Sequence, residues 1–294
     1  MLAPPRGCVS SRDPLYRSPM RRPFLKMNGL GNDFVVVEAR SQPFAPSEAE
    51  ARAIADRASG VGCDQLIAIE SSPKADAFMR IWNADGGQVE QCGNAARCVG
   101  WLLMQAAGRD EVSLDTPGGL LHVSAAGDHK VTIDMGKPGL DWRDIPLAEP
   151  MDTRGVELQV GPIDNPLLHT PGCVSMGNPH VVFFVKDAEM APVREVGSMI
   201  EHHRLFPERV NVGFAEVKAR DKIRLRVWER GAGITRACGT GACAALVAAN
   251  RRGLTERKAT VEMDGGDLVI DWRRDDDHVL MTGPIAVEFT GTLP

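Results

Sequence analysis

The chain has 294 residues, 43% of them hydrophobic, which is enough for two lobes of ordinary size that each bury a core. A net charge of −5, with Lys and Arg scattered along the chain, leaves no basic face for nucleic acid, and no apolar run approaches the roughly 20 residues of a membrane helix. Seven cysteines, an odd number, fit a reduced cytoplasmic protein better than a disulfide-stapled secreted one.

Residues 1–22 carry Arg6, Arg12, Arg17, Arg21 and Arg22 against Asp13 alone, with prolines and serines between and no apolar h-region. They are expected to form a disordered extension without chemistry, with Met20 as an ordinary start. Beyond them, short β-branched runs bounded by Gly, Pro, Asn and Asp predict strands: DFVVVE, LIAIE, VTIDM, HVVFFV, IRLRVW and DLVIDW, in chain order. SEAEARAIADRA and MAPVREVGSMIEHH predict amphipathic helices, the second ending at His202 and His203. Two further stretches open on Cys-Gly: QCGNAARCVGWLLM from Gln91 and ACGTGACAALVAA from Ala237. Rich in Ala, Val and Leu with few charges, they predict helices buried on all sides.

These elements repeat at a nearly fixed offset. Gly31-Asn32 and Gly177-Asn178, Gln65 and Asn211, Trp82 and Trp228, and Cys92 and Cys238 each lie 146 residues apart. Gly118-Gly119 and Gly265-Gly266, and Gly136 and Gly283, lie 147 apart. Such ordered matches predict an α+β fold of two similar lobes related by internal duplication, each a strand-rich layer wrapped around a central apolar helix. The site is expected in the cleft between them. The first lobe is expected over 23–137, with a last strand near 284–292 returning to it, and the second over 138–283. The seam falls near Gly136 to Gly139.

A cysteine at a helix entrance sits beside unpaired backbone N–H groups and the positive end of the macrodipole. That field binds carboxylates and lowers a thiol's pKa. Gly93 and Gly239 allow close approach of a ligand to the backbone, and Asn94 and Thr240 can cap or donate. Two such thiols facing one carbon can remove a proton from one side and return another from the opposite side, inverting a stereocentre. A carboxylate held by both helix ends is stabilised as charge develops on it. Cys98 and Cys243, inside the helices, read as small buried hydrophobes, and Cys63 and Cys173 as structural. No metal site is expected, because C-x2-C and H-x3-5-H spacings are absent, and neither a dinucleotide fingerprint nor a P-loop is present.

Taken in order, MNGLGNDF, GCDQ, WNADG, CGNAARC, GNPH, RVNV, WERGAG and ACGTGA resemble the diaminopimelate epimerase family, from about Phe24 to Phe289. The resemblance implies a cofactor-independent isomerase of the bacterial lysine and peptidoglycan pathway. Its substrate is a small diamino dicarboxylic acid, with LL- and meso-2,6-diaminoheptanedioate interconverted, and a homodimer is the implied assembly. It implies Cys92 and Cys238 as the acid/base pair, and Gly93-Asn94 and Gly239-Thr240 as the backbone cradle of the reacting carboxylate. Asn32, Gln65, Asn83, Asn178 and Asn211 match ligand-contacting positions, and Glu229-Arg230 an acid-base pair touching the substrate. His180 and Glu229 match residues that tune the thiols. Arg230 suits a distal carboxylate through its bidentate fork.

Two positions depart from the family pattern: Ala95 stands where glycine is usual, tolerable if that backbone is helical, and Ile234 stands where an acid or amide is usual. Two converging thiols of low pKa would be open to oxidation to a Cys92–Cys238 disulfide. The alternatives are another two-thiol racemase of this fold, acting on proline, hydroxyproline or histidine, and a non-catalytic amino acid binding protein.

Overall fold

Strand β1 (Arg22–Gly29) turns directly into β2 (Asn32–Glu38), and the two loop residues between them, Leu30 and Gly31, both have positive φ. That conformation matches the twist of a two-residue hairpin and explains the glycine. The computed structural model describes residues 22–90 and 92–293; residues 1–21, nearly all of the expected extension, lie outside the described residues, as do Gln91 and Pro294.

The first half continues with α1 (Glu48–Ala55), β3 (Gln65–Glu70), β4 (Ala77–Asn83), β5 (Gln88–Val89), α2 (Gly93–Ala107), β6 (Glu111–Thr116), β7 (Gly119–Ala125) and β8 (Lys130–Asp134). A small separate ladder, β9 (Gln159–Val160) with β10 (Leu168–His169), follows. The second half holds β11 (Gly172–Ser175), β12 (Pro179–Phe184), α3 (Val193–Glu201), β13 (Asn211–Ala219), β14 (Lys222–Glu229), β15 (Gly233–Thr235), α4 (Gly239–Arg251), β16 (Lys258–Met263), β17 (Gly266–Trp272) and β18 (Val279–Pro284). The last strand, β19 (Ala286–Leu293), pairs antiparallel with β1.

The two halves share one pairing scheme. In the first, β1–β2 is antiparallel, β2–β3 parallel, β3–β4 antiparallel, β4–β6 parallel, and β6–β7–β8 antiparallel. In the second, β11–β12, β12–β13, β13–β14, β14–β16 and β16–β17–β18 repeat those senses in that order. The equivalent strands β8 and β18 pair antiparallel, with Thr132 opposite Thr282, and so join both halves into one 17-stranded sheet among the described residues.

Why the strands read as unbroken apolar runs follows from what covers them. In β2, Phe34 and Val36 face a core around α2 while Val35 and Val37 face a second core around α1. In β12, Val182 faces α4 while Val181 and Phe183 face α3. Strands covered on both faces need no polar alternation. α1 opens on a capping box, Ser47 with Glu50. The two central helices share a single core that runs between the halves, and their interior cysteines, Cys98 and Cys243, are fully buried in it.

Ladder register corrects one repeat pairing. Val123 lies opposite Ile133 and Ile270 opposite Met281, so Ile133 corresponds to Met281 at 148 residues. Counted between paired residues, Ala125 with Val131 and Trp272 with Val279, the β17–β18 connection is one residue longer than the β7–β8 connection, and Gly136 therefore corresponds to Pro284, with Gly283 matching Met135.

Candidate active site

The same four places in each half carry the polar residues. Asn32 begins β2, Gln65 begins β3, Asn83 ends β4 and Cys92 is the N-cap of α2. Phe34 lies opposite Gln65 and Gln65 opposite Asn83, so the amides gather at one end of the sheet. Asn178 precedes β12, Asn211 begins β13, Glu229 ends β14 and Cys238 is the N-cap of α4. The repeat maps Asn83 onto Glu229, the one place where an amide in the first half becomes an acid in the second.

The two helix entrances meet across one side chain. A methyl added to Gly93 would lie 2.8 Å from Met281 Cε, and one added to Gly239 would lie 2.8 Å from Met281 Sδ. The Met281 thioether, fully buried on β18, thus separates the first turns of α2 and α4. The β1–β2 hairpin that carries Asn32 also rests on the second half: a methyl on Gly265 would collide with the Leu30 carbonyl oxygen at 2.2 Å.

Hydrogen bonds hold each set. Cys92 Sγ lies 3.7 Å from Asn32 Oδ1, and Asn32 Nδ2 donates to Asp64 Oδ2 at 2.9 Å. Gln65 Nε2 donates to Asn83 Oδ1 at 2.9 Å, while Gln65 Oε1 is buried with no partner. An unpaired buried acceptor is costly, and it leaves an opening for a ligand donor such as an ammonium. In the second half His180 Nε2 donates to Asn178 Oδ1 at 3.0 Å, Asn178 Nδ2 donates to Thr240 Oγ1 at 3.3 Å, and Thr240 Oγ1 lies 3.6 Å from Cys238 Sγ. His180 therefore reaches a thiol only through this relay.

Asn211 is already engaged at both ends. Its Nδ2 donates to the Pro179 carbonyl at 2.9 Å and its Oδ1 accepts the Arg230 backbone N–H at 3.0 Å, while Arg230 Nη1 donates to the Glu208 carbonyl at 3.1 Å. Glu229 Oε1 accepts a hydrogen bond from the Thr235 hydroxyl. Buried Glu201 fixes this loop from below, accepting from Trp228 Nε1 at 2.7 Å and from the Gly231 N–H at 2.9 Å.

The electrostatics overturn one expectation. The helix ends do favour the thiolates, through the Ala95 and Asn94 N–H groups at Cys92 and the Gly241 N–H and Thr240 hydroxyl at Cys238. Desolvation outweighs them, however: burial pushes the Cys92 thiol up, and burial together with the Glu229 charge pushes Cys238 well above the usual thiol range. Burial likewise raises Glu229 and pushes His180 down to about 3, with Arg230 adding to the latter. Burial thus favours the protonated form of both thiols and the neutral imidazole of His180.

The remaining predicted positions have clear places. Ala95 is fully buried within α2, so its methyl stands on helical backbone, where a side chain is tolerated. Ile234 packs beside a core and lies opposite Trp228 in the β14–β15 ladder. Cys63 and Cys173 are buried away from the helix entrances, and His202 is the C-cap of α3. Met281, Arg97, Thr235 and Glu201 escaped the sequence reading. Asp64, the anchor of Asn32, lies within the quoted GCDQ but reads there as a turn residue. Among the described residues no group of three or more His, Cys, Asp or Glu side chains is gathered to hold a metal ion, and no helix is long and apolar enough to cross a membrane.

Comparison with known proteins separates the alternatives. The family model for diaminopimelate epimerase matches residues 24–140 and 172–287, one block in each half. Diaminopimelate epimerase of Phenylobacterium zucineum is 64% identical over 275 residues, covering 94% of this chain and 99% of its own. That of Caulobacter sp. strain K31 is 62% identical over 286 residues, covering 94% and 98%. Among solved structures, a hydroxyproline epimerase from Agrobacterium vitis shares the fold at a TM-score of 0.65, with 16% identity and coverage of 94% of this chain and 93% of that one.

Proposed function

The chain belongs to the diaminopimelate epimerase family, and we propose that it interconverts LL- and meso-2,6-diaminoheptanedioate through its two helix-entrance thiols. The observation that carries this reading is the meeting of the Cys92 and Cys238 helix entrances across Met281. A carboxylate seated on the N–H groups of Gly93-Asn94 and Gly239-Thr240 draws on both macrodipoles, and these strengthen as the α-carbon loses its proton and charge moves onto the carboxylate.

One thiol must be a thiolate when catalysis begins. Substrate supplies the missing stabilisation, because its α-ammonium brings positive charge to a site where burial raises both thiols and the Glu229 charge raises Cys238 further. The thiolate takes the α-proton, the opposite thiol delivers its own, and the pair emerges with protonation exchanged. Turnover in either direction is thus built in. Exclusion of water keeps the abstracted proton from escaping and strengthens each charge interaction.

The distal amino acid head has partners of the right types. Gln65 Oε1 offers a free acceptor and Arg230 a cation, and Asn178 and Asn211, bonded within the protein at both ends of their amides, meet the ligand with the hydrogen-bonding capacity those amides have left. On this reading Asn32 and Asn83 orient the first-half wall, and His180 and Glu229 set the thiols' acidity. Residues 23–137 with the last strand act as one lobe and 138–283 as the other, in a cytoplasmic homodimer serving lysine and peptidoglycan precursor synthesis. A panel of LL-diaminopimelate, proline, hydroxyproline and histidine, resolved by chiral chromatography under reductant, tests the assignment. Inversion of diaminopimelate alone is expected; turnover of a cyclic or imidazole substrate in its place would refute it.

A further inference from the structure

Arg97 is the largest fully buried side chain among the described residues, and no carboxylate pairs with it there. It lies one turn below the entrance of α2. Its Nη2 donates to Asn94 Oδ1 at 2.8 Å, its Nη1 lies 3.9 Å from Met281 Sδ, and its Nε has no partner. A methyl on Gly283 would lie 3.1 Å from the guanidinium carbon, and one on Gly29 would lie 3.6 Å from Nη2. The cation is therefore clamped between β1 and β18, directly beneath the wedge that separates the two helix entrances.

Burying an unpaired cation is among the least favourable things a core can do, and an ordinary core position has no use for it. The repeat sharpens the point. At 146 residues Arg97 corresponds to Cys243, and Glu229 corresponds to Asn83, so beside the helix entrances the first half carries a buried cation and the second a half-buried acid, each without a charged counterpart in the other half. The titratable groups facing Arg97 are thiols: Cys92 and Cys98 on its own helix and Cys243 on α4. Only Cys92 among them stands at a helix entrance. Cys92 in turn is faced by Arg97 and by Glu229 of β14, with the Asn32 amide beside it.

We propose that Arg97 is the buried counter-charge of the Cys92 thiolate, a positioning residue that makes the two thiols of a duplicated site electrostatically unequal. The proposal rests on the two-thiol reading given above. Arg97 does not touch substrate. It acts through Cys92 and through the Asn94 amide that shapes the carboxylate cradle, and it offsets the negative charge that appears when Cys92 gives up its proton.

The test is the pH dependence of iodoacetamide alkylation at each cysteine, read by peptide mass spectrometry in the native protein, Arg97→Gln and Arg97→Lys, beside kcat and KM with LL-diaminopimelate. Removing a nearby cation raises a thiol's pKa. In Arg97→Gln the Cys92 midpoint should rise by about one pH unit while that of Cys238 stays in place, and kcat at pH 7 should fall about tenfold with little change in KM. Arg97→Lys, which keeps the charge, should restore most of both. An unchanged Cys92 midpoint in folded Arg97→Gln would overturn the proposal, as would equal shifts in both variants. So would loss of folding in either variant, since the residue would then serve the fold through its Asn94 bond. Alkylation needs no substrate, so a shifted midpoint in a protein that fails to epimerise diaminopimelate would indict the functional reading and leave this one standing.

Discussion

Substituting Gly93 or Gly239 by alanine probes directly whether the two helix entrances share Met281. Either added methyl lies 2.8 Å from the thioether, about 1 Å inside ordinary carbon contact, so the wedge must move. Overpacking of this kind costs about 1–3 kcal/mol, and the alanine returns about 0.5–1 kcal/mol by stiffening the first helical turn, for a net destabilisation of roughly 0–2.5 kcal/mol. Met281→Ala alone should cost about 2–5 kcal/mol, as a fully buried methionine truncated to a cavity. In that background the collision is gone. Gly93→Ala should then stabilise by about 0.5–1 kcal/mol, and Gly239→Ala likewise, so each substitution reverses sign. Denaturant midpoints for all corners of the two double-mutant cycles give the coupling, expected at about 1–3 kcal/mol for each glycine. Coupling below about 0.5 kcal/mol at either one would mean that helix end does not rest on Met281, and the convergence of the thiols would lose its support.

Thr240→Val keeps the shape of the side chain but removes the hydroxyl that accepts from Asn178 and lies beside Cys238 Sγ. The hydroxyl lowers the Cys238 pKa, so its loss should move the ascending limb of the pH–kcat profile to higher pH and lower kcat at pH 7 about five- to tenfold, with Thr240→Ser near native; an unmoved limb counts against the relay. His180 should show no titration of its imidazole NMR signals between pH 5 and 8, because burial holds it near 3. Its folded value lies below the unfolded one of about 6.5, so its contribution to stability is complete above that pH and is lost as the pH falls from there toward 3; His180→Gln should flatten that acid limb, and an imidazole that titrates near 6.5 would refute the burial argument.

Much of this architecture was legible in the sequence because duplication writes each position twice. Asn32 with Asn178 and Cys92 with Cys238 stood out through a shared offset, and the strands announced themselves through β-branched runs such as DFVVVE and HVVFFV. What stayed hidden depends on the tertiary environment. Met281 reads as one more apolar residue in a strand, and nothing local says that two helices end against it. Arg97 is one of few charges in a helix that reads as buried, and nothing local says that β1 and β18 close over its guanidinium. The positive helix ends were visible at Cys92 and Cys238, but desolvation was not, and its larger size reverses the direction of both thiols. Gly136 and Gly283 look like repeat partners, yet Gly136 has positive φ at a turn whereas Gly283 makes room for the Arg97 guanidinium.

The most direct test of the two-base account is the position of isotope during the first few per cent of turnover in D2O. LL-diaminopimelate is incubated with the fully reduced enzyme, and substrate and product are separated and analysed by mass spectrometry. If Cys92 and Cys238 act from opposite faces, the product carries solvent deuterium at one α-carbon while recovered substrate remains unlabelled, and neither Cys92→Ala nor Cys238→Ala yields inverted product. Product that keeps the substrate's own α-proton, or a single-cysteine variant that still inverts, would contradict it.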